Sequence, residues 1–309
     1  MARQVCPVLE IEAGQCFRSF PSMHPDEVDQ MRQAVEAEGA RVSIVGLGLD
    51  DWVTPTQRRT ERERAAFVSP QLRAAKQLGA VGVRLPFGQP DRSLLRELLP
   101  LLHELDLVLY QEIQGTQGPG TGGYEQAMEA LEDFSDQRLS IVLDSSMVTP
   151  QLPISYLEAV SQAGLPAGLL ERVTTEWGSP ETTAAIRSCL AEGQVPPNAM
   201  ALYMTMIFRF GTWTVADLEP LLAHVGAVQF KFWDLDDSDG RVTRPIADLG
   251  AALDRGGFAG TLCSEWGGHD WWKGPEGATE MTLNHLDLVA SVLDLPRAEQ
   301  ATRLGKERA

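Results

Sequence analysis

The stretch Gly260-Thr261-Leu262-Cys263-Ser264-Glu265-Trp266-Gly267-Gly268-His269 decides how this chain is read. A short apolar run ends on a carboxylate, and two glycines and a histidine follow at once. A buried parallel strand reads this way when its C-terminal end delivers a reactive side chain into a site. Two earlier runs have the same form. Leu107-Val108-Leu109-Tyr110-Gln111 ends on Glu112, and Leu139-Ser140-Ile141-Val142-Leu143 ends on Asp144. A further strand over 227–232 carries Gln229 and Lys231 and leads to Asp234. Single acids at strand ends are common, but three aligned ones point to a shared divalent metal, with one carboxylate doubling as base. The bland alternative is three polar strand ends solvated at a rim.

Working outward, a first strand is expected over 5–11, ending near Glu10 and Glu12. Val28, Met31, Ala34 and Val35 recur at helical spacing and predict a helix over 25–38, stopped by Gly39. Strand 41–49, helix 61–78 closed by Gly79, and strand 81–85 with Arg84 near its end follow. Asp91 caps a helix to 105, and another helix is predicted over 124–134. Alternation of strand and helix implies a parallel sheet with helices outside it. The interval 145–225 breaks the rhythm with helical pieces at 154–163, 181–192, 200–210 and 215–224. The piece at 200–210, rich in Met, Phe and Tyr, reads as helical core rather than a substrate wall. Helices over 246–255 and 281–293 complete the series, and the polar tail after Pro296 is expected to fray.

Seven strands in one series, with no linker long enough to split it, predict a single α/β domain over 1–309 with a helical insertion around 150–224. The expected fold is a TIM (β/α)8-type barrel lacking its first strand-helix unit, since the first strand begins almost at Met1. Either the true start lies upstream, or the barrel is open, or something else fills the gap.

The net charge of −17 over 309 residues argues against a nucleic-acid surface, which needs a basic stripe. It leaves room for a small anion held locally by Arg84 or Lys231, and otherwise serves solubility. No apolar run approaches the roughly 20 residues that span a bilayer, and no signal peptide is read, so no membrane role is expected. Cys6, Cys16, Cys189 and Cys263 lack paired metal spacing and suggest reduced thiols in a cytoplasm. Gly118, Gly120 and Gly123 do not form a phosphate loop, because they lie too far from a strand and no P-loop lysine follows.

Lys231 either steadies an oxyanion or pairs with a metal-site carboxylate. His269 is expected to act as acid/base or substrate partner, against a loop histidine stacked on Trp271 or Trp272. A salt bridge from Arg84 to Glu112 is preferred over substrate contact. His24, His103, His224 and His285 read as surface or packing residues. Trp52, Trp233, Trp266, Trp271 and Trp272 follow strand ends, where their faces suit sugar rings or flat aglycones, though some must be core.

The order of acid-ended strands, with the lysine-bearing strand directly before Ser264-Glu265-Trp266-Gly267-Gly268-His269, resembles the xylose-isomerase-like sugar isomerase/epimerase TIM-barrel superfamily. Leu9-Glu10-Ile11 with Gly14-Gln15 and Phe20-Pro21 resembles that superfamily's second barrel strand and its exit loop. Phe230-Lys231-Phe232-Trp233-Asp234, together with the Glu265 motif, is similar to one branch above others, the metal-dependent C-glycoside deglycosidase catalytic subunits and their relatives. The likeness covers nearly the whole chain and is strongest in the last two strands.

In ketose-epimerase members Glu, Asp, His and Glu on the last four strands hold the metal. The resemblance puts those places on Glu112, Asp144, Gln229 and Glu265. Where relatives show Glu-Ile-His, this chain has Glu112-Ile113-Gln114, and where they show a histidine two residues before the lysine it has Gln229. An amide oxygen coordinates a hard cation but is a poorer zinc donor than imidazole and cannot shuttle a proton. The resemblance therefore implies Mn or Mg held through oxygen, or a metal site altered or lost.

The expected activity is enolisation of a sugar-like or glycoside substrate next to its carbonyl, with Glu112 and Glu265 moving the proton and Lys231 and His269 assisting. The outcome is isomerase or epimerase chemistry, or a deglycosidase-like lyase. A catalytically degenerate barrel that binds a ligand or partner is the alternative, and a homo-oligomer or second subunit stays open. The related endonuclease branch fails for want of strand-end histidines and on charge.

Overall fold

A computed structural model describes residues 5–295, so the polar tail after Pro296 lies outside the described residues. In chain order the elements are β1 (Val8–Glu12), α1 (Ala13–Cys16), α2 (Pro25–Ala37), β2 (Arg41–Gly46), β3 (Trp52–Thr54), β4 (Gln57–Arg58), α3 (Glu61–Leu78), β5 (Gly82–Pro86), α4 (Arg92–Leu105), β6 (Val108–Ile113), α5 (Tyr124–Phe134) and β7 (Leu139–Asp144). Then come α6 (Ile154–Gln162), α7 (Ala167–Thr175), α8 (Pro180–Ala191), α9 (Met200–Phe208), α10 (Glu219–Leu222), β8 (Val225–Phe232), α11 (Thr243–Arg255), β9 (Thr261–Trp266) and α12 (Ala278–Val292). Seven strands form one sheet in the order β1-β2-β5-β6-β7-β8-β9, with β3 and β4 as a separate hairpin. Sequential strands as neighbours, joined by helices, make the TIM-type α/β fold with seven strands that the sequence predicts. No helix among the described residues is long and apolar enough to cross a membrane.

The contacts divide the chain into two compact units. The first holds residues up to Ile113, Gly120–Val142 and His224–Ala227. Its strands β1, β2, β5 and β6 pair in parallel. Helices α2 to α4 bury Val28, Leu72, Leu94 and Leu98 against Val45, Val83 and Leu109. The period of two along each strand sends alternate residues to the opposite face, where Ile44, Tyr110, Val142 and Ala227 cluster. Gly82 makes room there: a Cβ on it would stand 2.4 Å from the Tyr110 ring. The helix ends follow their sequence signals. Thr60 and Glu63 close a capping box on α3, Gly79 ends it in the left-handed conformation, and Asp91 caps α4.

The second unit holds Gln114–Pro119, Leu143–Ala223 and the described chain from Val228 onward. Its core joins Tyr156, Tyr203, Phe210, Trp233 and Trp271 with Leu157, Val160, Val173 and Ile186 from the helical insertion. In α9, Tyr203 and Met206 face this core while Phe208 is 60% exposed, so the helical-core reading holds for one face. The helix predicted over 215–224 is a single turn, α10. Pro220 sits in its first turn, where its missing N–H costs nothing, but cannot extend a helix begun earlier. Helix α7 has no counterpart in the sequence reading, because Gly168 and the Thr174-Thr175 pair hide the Leu169 and Val173 spacing.

Candidate active site

In the first unit, β1, β5 and β6 present Glu10, Glu12, Arg84 and Glu112 at their C-terminal ends. Period-two alternation places Glu10 with Glu12, and Glu112 with Tyr110, on one face each. Arg84 Nε donates to Glu10 Oε1 at 2.7 Å, and its two Nη groups donate to Glu12 and Glu112. Gly46 admits the Glu12 carboxylate, since a Cβ there would lie 2.3 Å from Oε2. Burial lowers the guanidinium pKa, but the charges of Glu112, Glu10 and Glu12 outweigh it and hold Arg84 above its ordinary value. The expected Arg84–Glu112 bridge is therefore present, as one arm of a three-way fork.

In the second unit, β7, β8 and β9 bring Asp144, Gln229, Lys231 and Glu265 to their ends. Lys231 Nζ lies 3.0 Å from Asp144 Oδ2 and 2.9 Å from Glu265 Oε1. Asp144 and Glu265 each offer an oxygen within 4.8 Å of the other. Asp144 is fully buried, and its Oδ1 accepts the Ser146 N–H at 2.8 Å. Desolvation pushes the Asp144 pKa up, the Lys231 ammonium opposes this, and the Glu265 charge adds to the rise. Gln229, two residues before Lys231 on the same strand face, is buried too. Glu265 Oε2 is buried and has no hydrogen-bond partner, a costly arrangement for a carboxylate oxygen.

Two serines that the sequence reading passed over hold this arrangement. Ser145 Oγ accepts the Lys231 N–H at 2.8 Å, and Ser146 Oγ accepts the Gly115 N–H at 2.9 Å. The run Asp144-Ser145-Ser146 could have been read as a turn whose short side chains bond nearby backbone.

His269 follows in a short turn and is exposed, with Nε2 3.4 Å from Asp270 Oδ1. Its ring meets the edge of Trp266 at 6.2 Å, so the packing alternative lies on Trp266 rather than on Trp271 or Trp272. Gln114 stands in the loop after β6, its backbone N–H donating to Gln117 Oε1 at 3.0 Å. Trp233 and Trp271 are core, Trp272 Nε1 donates to the Glu276 carbonyl at 3.1 Å, and Trp52 is 50% exposed on the β3–β4 hairpin. His285, expected at a surface or in packing, is 1% exposed; its ring stacks on Phe232 at 3.9 Å, and Nδ1 lies 2.7 Å from Ser264 Oγ.

No protein-family model matches the chain. It is 28% identical over 273 residues to the C-glycoside deglycosidase alpha subunit of Arthrobacter globiformis, covering 85% of this chain and 76% of that one. It is 25% identical over 290 residues to the 3′-dehydrocarminate deglycosidase alpha subunit of a Microbacterium species, covering 87% and 81%. Among solved structures it resembles D-psicose 3-epimerase from Clostridium cellulolyticum H10, crystallised with D-tagatose, at a TM-score of 0.53 and 12% identity over 93% of this chain and 89% of the other. It also resembles an IolI protein with a bound zinc atom, at a TM-score of 0.51 and 13% identity over 93% and 88%. The fold is thus shared with the D-psicose 3-epimerase and IolI barrels, and the sequence likeness runs to the deglycosidase alpha subunits.

Proposed function

We propose that this protein is a divalent-metal-dependent enzyme that enolises a sugar or glycoside next to a carbonyl group. Asp144, Gln229 and Glu265 of the second unit are the residues that would hold the cation, a role the resemblance also gives to Glu112. The observation that carries the reading is the buried, unpartnered Glu265 Oε2 beside the Asp144–Lys231–Glu265 contact. Donors that are all oxygen suit Mn or Mg better than zinc, which favours imidazoles, and none stands at these places. A bound cation would polarise the substrate carbonyl and lower the acidity barrier of the neighbouring C–H.

The chain's own residues would do the rest. One of Glu112 and Glu265 takes the proton from the carbon next to the carbonyl, and the C–H electron pair becomes the enolate. Lys231 steadies the charge that develops on oxygen. Delivery of a proton to that carbon from an acid on its other face gives an epimer, while the base keeps the proton it took. Return of the abstracted proton to the former carbonyl carbon gives an isomer. Expulsion of a leaving group by the enolate gives a lyase of the deglycosidase kind, with His269 supplying a proton to that group. The deglycosidase relatives favour the lyase outcome. Their alpha-subunit names support a second subunit as partner.

Gln114 and Gln229 favour a second reading, a barrel that binds its ligand without turnover, because an amide cannot carry a proton. Solvent deuterium separates the two. With Mn2+ and a 3-keto-glucoside or ketohexose in D2O, the enzyme reading predicts deuterium at the carbon next to the carbonyl, abolished by Glu265→Gln. Saturable binding without exchange would establish the second reading.

A further inference from the structure

The outer layer of the second unit is thin beside α10. Each strand of an alternating α/β fold is normally backed by a helix of several turns, whereas the helix before β8 is the four-residue α10. A groove of about 740 Å³ lies there, lined by Trp177, Trp213, Thr212, Glu219, Asp248 and Arg255 among others. That volume falls in the range of small-molecule sites. Asp144, Lys231 and Glu265 do not line it.

Both indoles are fixed in place. Trp177 Nε1 donates to the Thr149 carbonyl at 3.0 Å. The backbone that carries Trp213 is bridged to residues 147 and 148, the Trp213 N–H donating to the Met147 carbonyl at 3.1 Å. Gly118 leaves room for the Trp213 ring, since a Cβ on it would come within 2.5 Å of Cε2. The polar lining, in contrast, is uncommitted. Among the described residues, the side chains of Glu219, Asp248 and Arg255 form no ion pair, and neither they nor the Thr212 hydroxyl form a hydrogen bond.

From this combination we infer that the groove is a second carbohydrate site, for a neutral sugar or short oligosaccharide. Rigid indole faces match the C–H face of a pyranose and lose little entropy on binding. Sugar hydroxyls donate to the two carboxylates and accept from the guanidinium, and such charge-assisted bonds are the stronger kind. Two acids against one arginine disfavour an anionic ligand. The inference stands apart from the metal-dependent chemistry above, because none of the proposed ligands of the cation lines the groove.

Calorimetric titration of the full chain with cellobiose tests it. Saturable binding is expected, weakened about tenfold or more in the Asp248→Asn/Arg255→Gln double variant and unchanged in Glu265→Gln, with far-UV circular dichroism confirming the fold of each. No saturable binding to the wild-type chain, equal binding by the double variant, or loss of binding in Glu265→Gln alone would overturn the proposal.

Discussion

Lys231 is the positive charge that makes a fully buried Asp144 affordable, and it does so while touching Glu265 as well. Removing one member of such a pair leaves an uncompensated buried charge. Lys231→Met is therefore expected to cost about 3 kcal/mol of stability, read as a drop in Tm without added metal. If a cation shares these carboxylates, Mn2+ should raise the Tm of this variant more than that of the wild type; equal shifts would count against sharing. Gln229 makes a complementary case. Gln229→His restores the donor that zinc prefers and is expected to raise Zn2+ affinity on the order of tenfold relative to Mn2+, measured by competition titration. At this scale the sequence was informative about Glu112, Asp144 and Glu265, whose strand-end places are written in apolar runs closing on an acid. It was silent on Ser145 and Ser146, because their contacts depend on which backbone the sheet brings beside them.

Among the elements, α12 and β9 are tied by His285 on one and Ser264 on the other. Burial holds the His285 imidazole neutral, its pKa pushed down to about 3 from 6.5. Unfolding would let it take a proton near 6.5, so the unfolded state binds more protons between those values. This contribution to stability is intact above pH 6.5 and is lost as the pH falls toward 3, at up to about 1.4 kcal/mol per unit. Unfolding titrations between pH 7 and 4.5 should show a shallower slope for His285→Gln than for the wild type; parallel slopes would refute the account. The β3–β4 hairpin depends on another buried group. The Arg64 side chain, 0% exposed, lies 2.8 Å from Asp51, 2.8 Å from Glu61 and 2.6 Å from Asp91, and so joins the hairpin root to α3 and α4. Because those acids are partly exposed, Arg64→Met is expected to cost about 2 kcal/mol, with proteolysis near residues 50–59 as the local readout.

The same elements show what sequence patterning resolves. Strands β2, β7 and β8 are legible because burial of most of their positions demands short apolar runs. Strands β1 and β9, half-buried along most of their length, are legible instead from the acids that close them. The hairpin strands, three and two residues long, carry too few positions for any period to appear. Proline position decides α10, which the apolar spacing around it overstates.

At the scale of the whole molecule, an excess of acid sets the terms. With a net charge of −17 the chain attracts cations generally, so weak, scattered binding of Mn2+ is expected on charge alone. The central claim is narrower: one cation held by Asp144 and Glu265 of the second unit together. Elemental analysis of the purified chain, dialysed against Mn2+ and then metal-free buffer, tests it most directly. The account predicts about one retained Mn2+ per chain and none in Asp144→Asn or Glu265→Gln variants that stay folded. A wild-type chain that retains no metal, or two variants that retain it as well as the wild type, would contradict it.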